Sequence, residues 1–414
     1  MRKLMLSMAA LPLLVGGLSI SASADEGINI LDNVKLSGEL RPRYEYADVK
    51  DNDKDAGQAL TSRIKLVASS DKFFGIENLN VNLGIIDVYD FGWHEYNSGY
   101  NGQTDYDKII DPNYAMLSNA DVNYKVGKTI LHAGRSQVNL DNQRFIGTVG
   151  WRQLERSYDT VYVADNSVEN LSLLAAWVYG LQGVAAGPKT DTNSVLLHAT
   201  YKVMPELTIT AYDYMIANFA DTYGVALTGK AKTGDIKLNY RAEYAIQSDA
   251  TMDIHGGEGK ADASYYNLDL GANISGIIAG VNYEYMSGGE DKADGTKQTF
   301  TTPLGTNHKF NGWADVYLGG HAGTGLIDMN AKVGYTAKGL GKALIVYHQF
   351  LADEEVAGKD DMGSEIDVLY ANKVPGFKNV SGLLKGAWFS GGDIGQTNDV
   401  TKFWAMLDYK FSTK

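Results

Sequence analysis

The amino-acid sequence predicts an all-β fold: a transmembrane antiparallel up-and-down β-barrel of about 18 strands, with about 16 as the alternative count. Three observations predict it. Apolar and polar residues alternate with a period of two, short and long connections alternate, and the N-terminus has the pattern of an export signal. No stretch has the helical periodicity that would supply a layer to cover such a sheet.

The first 24 residues have the features of a secretory signal peptide. Arg2 and Lys3 precede an apolar run that ends at a small-residue cleavage site, Ala22-Ser23-Ala24. A membrane anchor is the alternative, but the run is short and the Ala-x-Ala end favours cleavage. We therefore expect a cleaved signal over residues 1–24, followed by one exported barrel domain over residues 25–414.

The clearest strand runs from Val34 to Tyr46, where polar and apolar residues alternate. Its polar members are Lys35, Ser37, Glu39, Arg41, Arg43 and Glu45. A period of two places the polar and apolar sets on opposite faces of a strand. An apolar face without a covering layer indicates contact with lipid, and the charged face indicates a wet interior.

Later segments repeat this alternation. It is clear over residues 235–247, 265–273 and 327–335, and less clean over residues 194–202. Residues 79–90 change phase near two adjacent isoleucines, which a β-bulge would explain.

Short and long connections separate the predicted strands. The short ones are 71–78, 127–128, 166–170, 203–206, 233–234, 274–276, 336–341 and 373–379. The longer or more polar ones are 47–57, 90–115, 139–154, 181–193, 217–221, 248–262, 287–324, 351–362 and 390–398. Short periplasmic turns and long extracellular loops are typical of outer-membrane barrels, and this tally gives about 18 strands.

Aromatic residues mark the ends of the predicted strands on the apolar face. They are Tyr44, Tyr46, Tyr201, Tyr244, Tyr283, Tyr285 and Trp388. Amphipathic rings favour the headgroup level of a bilayer, although tyrosine is also a good strand former. The last predicted strand, 401–411, has aromatic or apolar residues at alternate positions and ends on Phe411.

Composition excludes several classes of protein. The chain has no cysteine, which rules out a disulfide scaffold and thiolate metal sites. Its net charge of −13 becomes −15 once Arg2 and Lys3 leave with the signal. An acidic exported protein is a poor candidate for nucleic-acid binding.

Basic residues on the polar face are the candidate functional residues. Those that we expect to line the pore are Arg41, Arg43, Arg63, Lys65, Arg135, Arg144, Arg152, Arg156, Lys237 and Arg241. Four of the arginines flank a Gly-rich loop that could fold into the barrel and narrow it, which predicts a basic, anion-favouring constriction. The alternative is that the arginines pair with lumenal carboxylates and hold the wall together.

The sequence favours neither a catalytic site nor a cofactor or metal site. The seven histidines are scattered, with no His-x-x-x-His pair, no Gly-x-Ser-x-Gly and no phosphate-binding loop. The acidic clusters at 51–55 and 360–361 could bind calcium or bridge lipopolysaccharide, but solvated loops are the simpler interpretation.

Two segments resemble the signature of the alginate-export (AlgE-like) family of outer-membrane porins. One begins Gly134-Arg135-Ser136-Gln137 and continues over residues 139–153; the other covers residues 302–315. Smaller similarities lie at 347–350 and 401–404. The resemblance implies an 18-stranded monomeric barrel that passes a polyanionic uronate polymer, with Arg135, Arg144 and Arg152 at the pore or constriction.

We therefore expect an outer-membrane porin for passive diffusion of small hydrophilic, anionic solutes, without a cofactor or catalytic residue. Its surroundings would be outer-membrane lipid and lipopolysaccharide. One alternative is an exporter of an anionic polysaccharide such as alginate, which would use a periplasmic partner. The others are a barrel enzyme and a plugged structural barrel.

Overall fold

The computed structural model describes residues 30–413, so the predicted signal peptide lies outside the described residues. The strands are β1 (Leu31–Asp32), β2 (Lys35–Val49), β3 (Gly57–Ser69), β4 (Lys72–Phe73), β5 (Leu79–Tyr89), β6 (Tyr114–Val126), β7 (Thr129–Ser136), β8 (Ser157–Asp165), β9 (Leu171–Gln182), β10 (Thr190–Met204), β11 (Leu207–Ile216), β12 (Ala220–Thr233), β13 (Ile236–Ser248), β14 (Ala263–Ile274), β15 (Ile277–Met286), β16 (Leu326–Ala337), β17 (Gly341–Val356), β18 (Lys359–Lys373), β19 (Val380–Ser390) and β20 (Val400–Ser412). A short 3-10 helix spans Asn307–Lys309.

Eighteen of these strands form one closed antiparallel barrel, which confirms the predicted fold class and the larger strand count. Neighbours in sequence pair with each other, and β20 closes the barrel against β2, from Ser37 opposite Ser412 to Val49 opposite Val400. The two-residue strands β1, which precedes β2, and β4, in the turn between β3 and β5, pair separately with each other. Closure leaves no unpaired edge, as a barrel in lipid requires.

Short turns and long loops lie at opposite ends of the barrel, as predicted. The longest loops are 90–113, 137–156 and 287–325. The predicted loop at 351–362 is wrong: β17 and β18 continue through it as a hairpin that turns at Ala357-Gly358. The polar sequence suggested an irregular loop here, but the two strands continue to either side of the turn and pair there.

The two faces of the strands are those predicted. Leu40 and Ile64 lie opposite each other and are exposed on the outer face, where Tyr244 and Trp388 are exposed as well. Arg41, which neighbours Leu40, is buried inside. Alternation within each strand therefore produces an apolar exterior and a charged interior.

A bulge does lie beside the change of phase in β5, but on the partner strand β6 rather than in β5 itself. Ile86 and Val88 face inward and pack with Met116 and with Leu154 from the 137–156 loop. The register shift lies in β6, where Ser118 is the extra residue between the partners of Gly84 and Ile85. Apolar residues of β5 face inward because the 137–156 loop inserts into the barrel and packs against them.

The interior is not uniformly wet. A hydrophobic cluster joins loop residues, among them Phe145, Phe300 and Tyr317, to inward-facing wall residues such as Tyr265 and Phe350. The barrel therefore contains a packed core in part of its lumen. No helix within residues 30–413 is long and apolar enough to cross a membrane.

Candidate functional site

Two extracellular loops fold into the barrel and divide its lumen. They are residues 137–156 and the inner part of the 287–325 loop, residues 299–325, and we call them together the partition. The two loops contact each other directly, since Gly147 N–H donates to the carbonyl of Leu304 and Thr306 N–H to that of Gln143. The predicted inward-folding loop is thus present, and a second loop joins it.

Arginines on β2 and β3 hold the backbone of the 137–156 loop. Arg41 donates to the carbonyl of Gly150 at 2.9 Å, and Arg43 to that of Trp151 at 2.6 Å. Arg63 pairs with Glu155 at 3.1 Å. These guanidinium groups are almost fully buried, so their donors point at the loop rather than into solvent.

Carboxylates neutralise the same arginines. Glu39 lies 2.6 Å from Arg41 and 3.4 Å from Arg63, while Asp111 and Glu45 pair with Arg43. Because the arginines of adjacent strands are close, the carboxylates between them relieve like-charge repulsion.

Glu155 joins Lys65 of β3 to the partition and also pairs with Arg63. Burial alone would raise the pKa of this glutamate, but the two cations lower it below its ordinary value. Glu155 therefore remains a carboxylate at neutral pH, and its negative charge balances the positive charge of Lys65.

Arg144 crosses the lumen from the 137–156 loop to the opposite wall. Its guanidinium is fully buried and lies 2.8 Å from Glu284 of β15. It also donates to Asn311 at 2.9 Å and to Asn307 at 3.2 Å, both on the second loop. One side chain therefore ties both loops to the wall.

Arg152 and His308 connect the two loops near β2 and β19. Arg152 contacts Glu45 at 2.9 Å and Asp315 at 3.1 Å. His308 Nδ1 is 2.6 Å from Asp315, and its Nε2 is 2.7 Å from the ammonium of Lys385. This geometry fits a neutral imidazole that donates to Asp315 and accepts from Lys385.

The pKa values of the loop residues agree with that protonation state. Burial, reinforced by the cations Lys385 and Arg152, lowers the pKa of His308 to about 3. Burial alone would raise the pKa of Asp315, but the contacts with His308, Lys402 and Arg152 hold it below its ordinary value. At neutral pH the pair is a neutral histidine and a carboxylate.

Two other predicted pore residues also anchor the partition. Arg156 donates to the carbonyls of Gly147 and Pro303 at 3.1 and 3.0 Å. Arg241 of β13 forms a bidentate pair with Asp141, with its shorter contact at 2.6 Å. Both guanidinium groups therefore hold loop atoms.

Arg135 lies on the other side of the wall. In β7 it is opposite Asp159, on the same phase as the exposed Val161, and it pairs with that aspartate at 2.6 Å. The structure therefore does not bring Arg135 into the lumen with the other arginines. Counting the basic residues around a loop does not show which face of its strand each of them occupies.

The inward face of the barrel has unneutralised cations at its periplasmic mouth. Nine lysines occupy inward positions in the last four residues of their strands at the end with the short turns. These residues, the lysine collar, are Lys35, Lys125, Lys202, Lys230, Lys232, Lys237, Lys342, Lys373 and Lys410. No inward carboxylate occupies the same positions in the described strands.

Most of the collar is free of ion pairs. Lys35 contacts Asp71, and Lys410 contacts Asp408 and Glu39 at 3.4 and 3.9 Å. No carboxylate within residues 30–413 lies within 4 Å of the other seven. Lys232 and Lys237 are directly opposite each other, an arrangement that is unfavourable without a counter-charge.

The prediction from sequence included Lys237 but missed most of the collar. The missed lysines share a readable signal, because each lies on the polar phase of its strand within four residues of a short turn or, for Lys35 and Lys410, of the outer ends of the first and last barrel strands. In residues 30–413, no group of three or more acidic or histidine side chains is placed to hold a metal ion.

No protein-family model matches the sequence, and no curated protein matches it significantly. Solved structures do match. Acinetobacter baumannii OccAB2 is 14% identical with a TM-score of 0.72, covering 94% of this chain and 100% of its own. Pseudomonas aeruginosa OccK8 (OprE) is 17% identical with a TM-score of 0.70, covering 93% and 100%. The outer membrane protein opdK from Pseudomonas aeruginosa is 14% identical with a TM-score of 0.71, covering 93% and 100%.

These likenesses show a shared fold. Together with the apolar outer face, the fold defines a transmembrane β-barrel of the kind found in bacterial outer membranes. The neighbours found are Occ-type barrels, so the resemblance to the alginate-export family is not confirmed.

Proposed function

We propose that the protein is a passive outer-membrane channel for small hydrophilic solutes and that it favours anions. The lysine collar carries the proposal. Seven of its nine ammonium groups have no carboxylate within 4 Å in the described chain, and all project from inward positions around one mouth. A ring of one charge sign against low-dielectric walls raises the local concentration of counter-ions.

The partition favours the passage of small solutes over that of polymers. Its loops are fixed to both walls through Arg144, Arg152 and the arginines of β2 and β3. Export of an anionic polysaccharide such as alginate is the alternative function. It would require these buried contacts to separate, and a periplasmic partner could provide the energy.

The test is the reversal potential of the purified protein in a planar bilayer under a KCl gradient. We expect stable conductance with chloride more permeant than potassium. A preference for potassium would overturn the anion assignment, and absence of conductance in correctly folded protein would overturn the channel itself.

A further inference from the structure

A groove of about 560 Å³ lies on the outer face of the barrel, across the seam where the last strand, β20, meets β2. We call it the seam groove. Gly382 of β19, Ala405 of β20 and Pro42 of β2 lie in it, between larger neighbours such as Leu384 and Tyr44. Because the side chains of the first three residues are short, the wall is recessed there. The seam groove therefore faces the bilayer and not the lumen.

The seam itself is interrupted beneath this groove. The ladder between β2 and β20 pairs Leu40 with Tyr409 and resumes where Arg43 is opposite Met406. Pro42 lies within the interval, and a proline has no N–H to donate to a neighbouring strand. A molecule packed across both strands would reinforce the barrel at this point of closure.

The periplasmic end of the seam groove has a cation. Lys373, the last residue of β18, lines this end together with Asn372 and the turn residues Val374 and Pro375. Its side chain is exposed, and no carboxylate within residues 30–413 lies within 4 Å of its ammonium. At the end of a strand, this lysine borders both the mouth of the barrel and its outer face. The groove is thus mostly apolar, with a positive charge at the level of the periplasmic headgroups.

A second groove on the outer wall provides a comparison. It measures about 460 Å³ and lies over β14 to β17, where Leu270, Val281 and Ala331 are among its lining residues. None of the residues that line it is a lysine or an arginine. It could hold a lipid chain, but it offers no counter-charge to an anionic headgroup.

Packing and charge together select the occupant of the seam groove. Lipid tails are as apolar as the wall, so a chain enters a groove because of closer van der Waals packing and not because of burial from water. An ammonium group at headgroup level attracts an anionic lipid in particular. A second copy of the barrel fits less well, because a two-fold pair formed through this face would bring two Lys373 side chains together without a counter-charge.

We propose that the seam groove is a binding site for one anionic phospholipid of the periplasmic leaflet. An acyl chain lies over Gly382, Ala405 and Pro42, and the headgroup phosphate contacts Lys373. The bound lipid spans β19, β20 and β2 and stabilises the closure of the barrel. The site is on the outer face, so it is independent of what passes through the lumen.

Native mass spectrometry of the purified protein in mild detergent tests the binding. Dioleoylphosphatidylglycerol is the anionic probe, and dioleoylphosphatidylcholine is the zwitterionic comparison. We expect one phosphatidylglycerol molecule to be retained roughly threefold more often than phosphatidylcholine and to raise the unfolding temperature more. Equal retention of the two lipids would overturn the selection of an anionic headgroup.

Filling the seam groove should displace the lipid. A Cβ at position 382 would lie 3.6 Å from Leu407 and 3.8 Å from Val374, which are ordinary contacts, so a larger side chain can enter from Gly382. Gly382→Phe should reduce the retention of phosphatidylglycerol roughly threefold and reduce the rise in unfolding temperature, because the ring occupies the place of the chain. Ala331→Phe places the same ring in the second groove and should leave both quantities unchanged.

A pair of charge variants tests the headgroup contact. Lys373→Gln should remove the preference for phosphatidylglycerol over phosphatidylcholine. Lys128→Gln removes an exposed lysine from the turn between β6 and β7, at the same end of the barrel but away from the seam groove, and should keep the preference. Loss of the preference in both variants would mean that overall charge selects the lipid, which would overturn the site.

Two further results would overturn the proposal. One is wild-type retention of phosphatidylglycerol in folded Gly382→Phe, or in Gly382→Leu if the larger ring prevents folding. The other is a lipid-free dimer of the wild type that Gly382→Phe dissociates, which would assign this face to a second copy of the chain. None of these measurements depends on conductance, so failure of the channel function and failure of the lipid site are distinguishable.

Discussion

The partition and the lysine collar are both rich in cations, yet their electrostatic roles differ. In the partition Arg144 is fully buried and contacts Glu284 together with two asparagine oxygens. In the collar Lys230, Lys232 and Lys237 are exposed and have no carboxylate partner in the described chain.

The difference shows that the number of cations in a pore does not determine its selectivity. A buried arginine that is neutralised by a carboxylate contributes position rather than net charge. An exposed lysine without a partner contributes potential to the solution around it. The residue types differ in the same way. Arginine anchors the partition because guanidinium suits multidentate buried contacts, and lysine forms the collar because ammonium remains strongly hydrated.

The largest expected effect comes from breaking the partition at Arg144. Arg144→Met leaves Glu284 buried without its cation, a change that typically costs about 3–5 kcal/mol. We expect a lower unfolding temperature and larger, noisier single-channel currents, because the 137–156 loop loses its tie to β15 and only Asn311 still holds the second loop to Glu284. Conductance and thermal stability equal to those of the wild type would show that the other anchors suffice. The double variant Arg144→Met/Glu284→Gln is the control and should recover part of the stability.

The next effect comes from the collar. Replacing Lys230, Lys232 and Lys237 together with Gln should reduce the chloride-to-potassium permeability ratio several-fold while thermal stability is maintained or rises slightly, because a like-charge pair is removed. Reversal potentials measure the change.

The matched control for the collar removes the same number of charges from the extracellular end of the barrel. Replacing Lys54, Lys108 and Lys359 with Gln should leave the permeability ratio nearly unchanged, since these residues are exposed at the opposite end of the barrel. Equal shifts in the two triple variants would mean that overall charge, and not the collar, sets selectivity.

A smaller effect is expected from pH, because the partition contains a neutral histidine. The pKa of His308 is lowered to about 3 in the anchored loop, whereas a detached loop would bind a proton near the ordinary value of about 6.5. Anchoring is therefore fully present above pH ~6.5 and weakens as the pH falls toward ~3. Asp315, whose pKa is also lowered, acts in the same direction at the acidic end.

Current fluctuations recorded between neutral and mildly acidic pH would show this weakening. His308→Gln can still donate to Asp315 and accept from Lys385, but it does not titrate. It should therefore show less increase in fluctuations on acidification. An identical increase in both proteins would assign the pH response to other groups.

The smallest effect is expected at Arg135. Arg135→Gln breaks a largely buried pair with Asp159 on the outer face, but Lys189, 3.7 Å from Asp159, remains as its counter-charge. The reversal potential should not change, because the side chain does not face the lumen. A clear loss of anion preference in this variant would contradict its outward placement.

The fold was predictable because its signals are local. Alternation at Lys35 to Glu45 gives the inner and outer faces of β2, and the short turns give the periplasmic end. The candidate site was predictable only in part. The inward fold of the 137–156 loop was expected, but the pairing of Arg144 with Glu284 spans 140 positions and leaves no mark in sequence spacing.

The sequence by itself determined the barrel, its strand number, its apolar exterior and the supply of cations, since each follows from a period of two and from turn composition. The tertiary structure decided which cations are neutralised and which remain free. The physical reason is that desolvation and ion pairing depend on distances across the lumen, which only closure of the barrel and the inward fold of two loops establish.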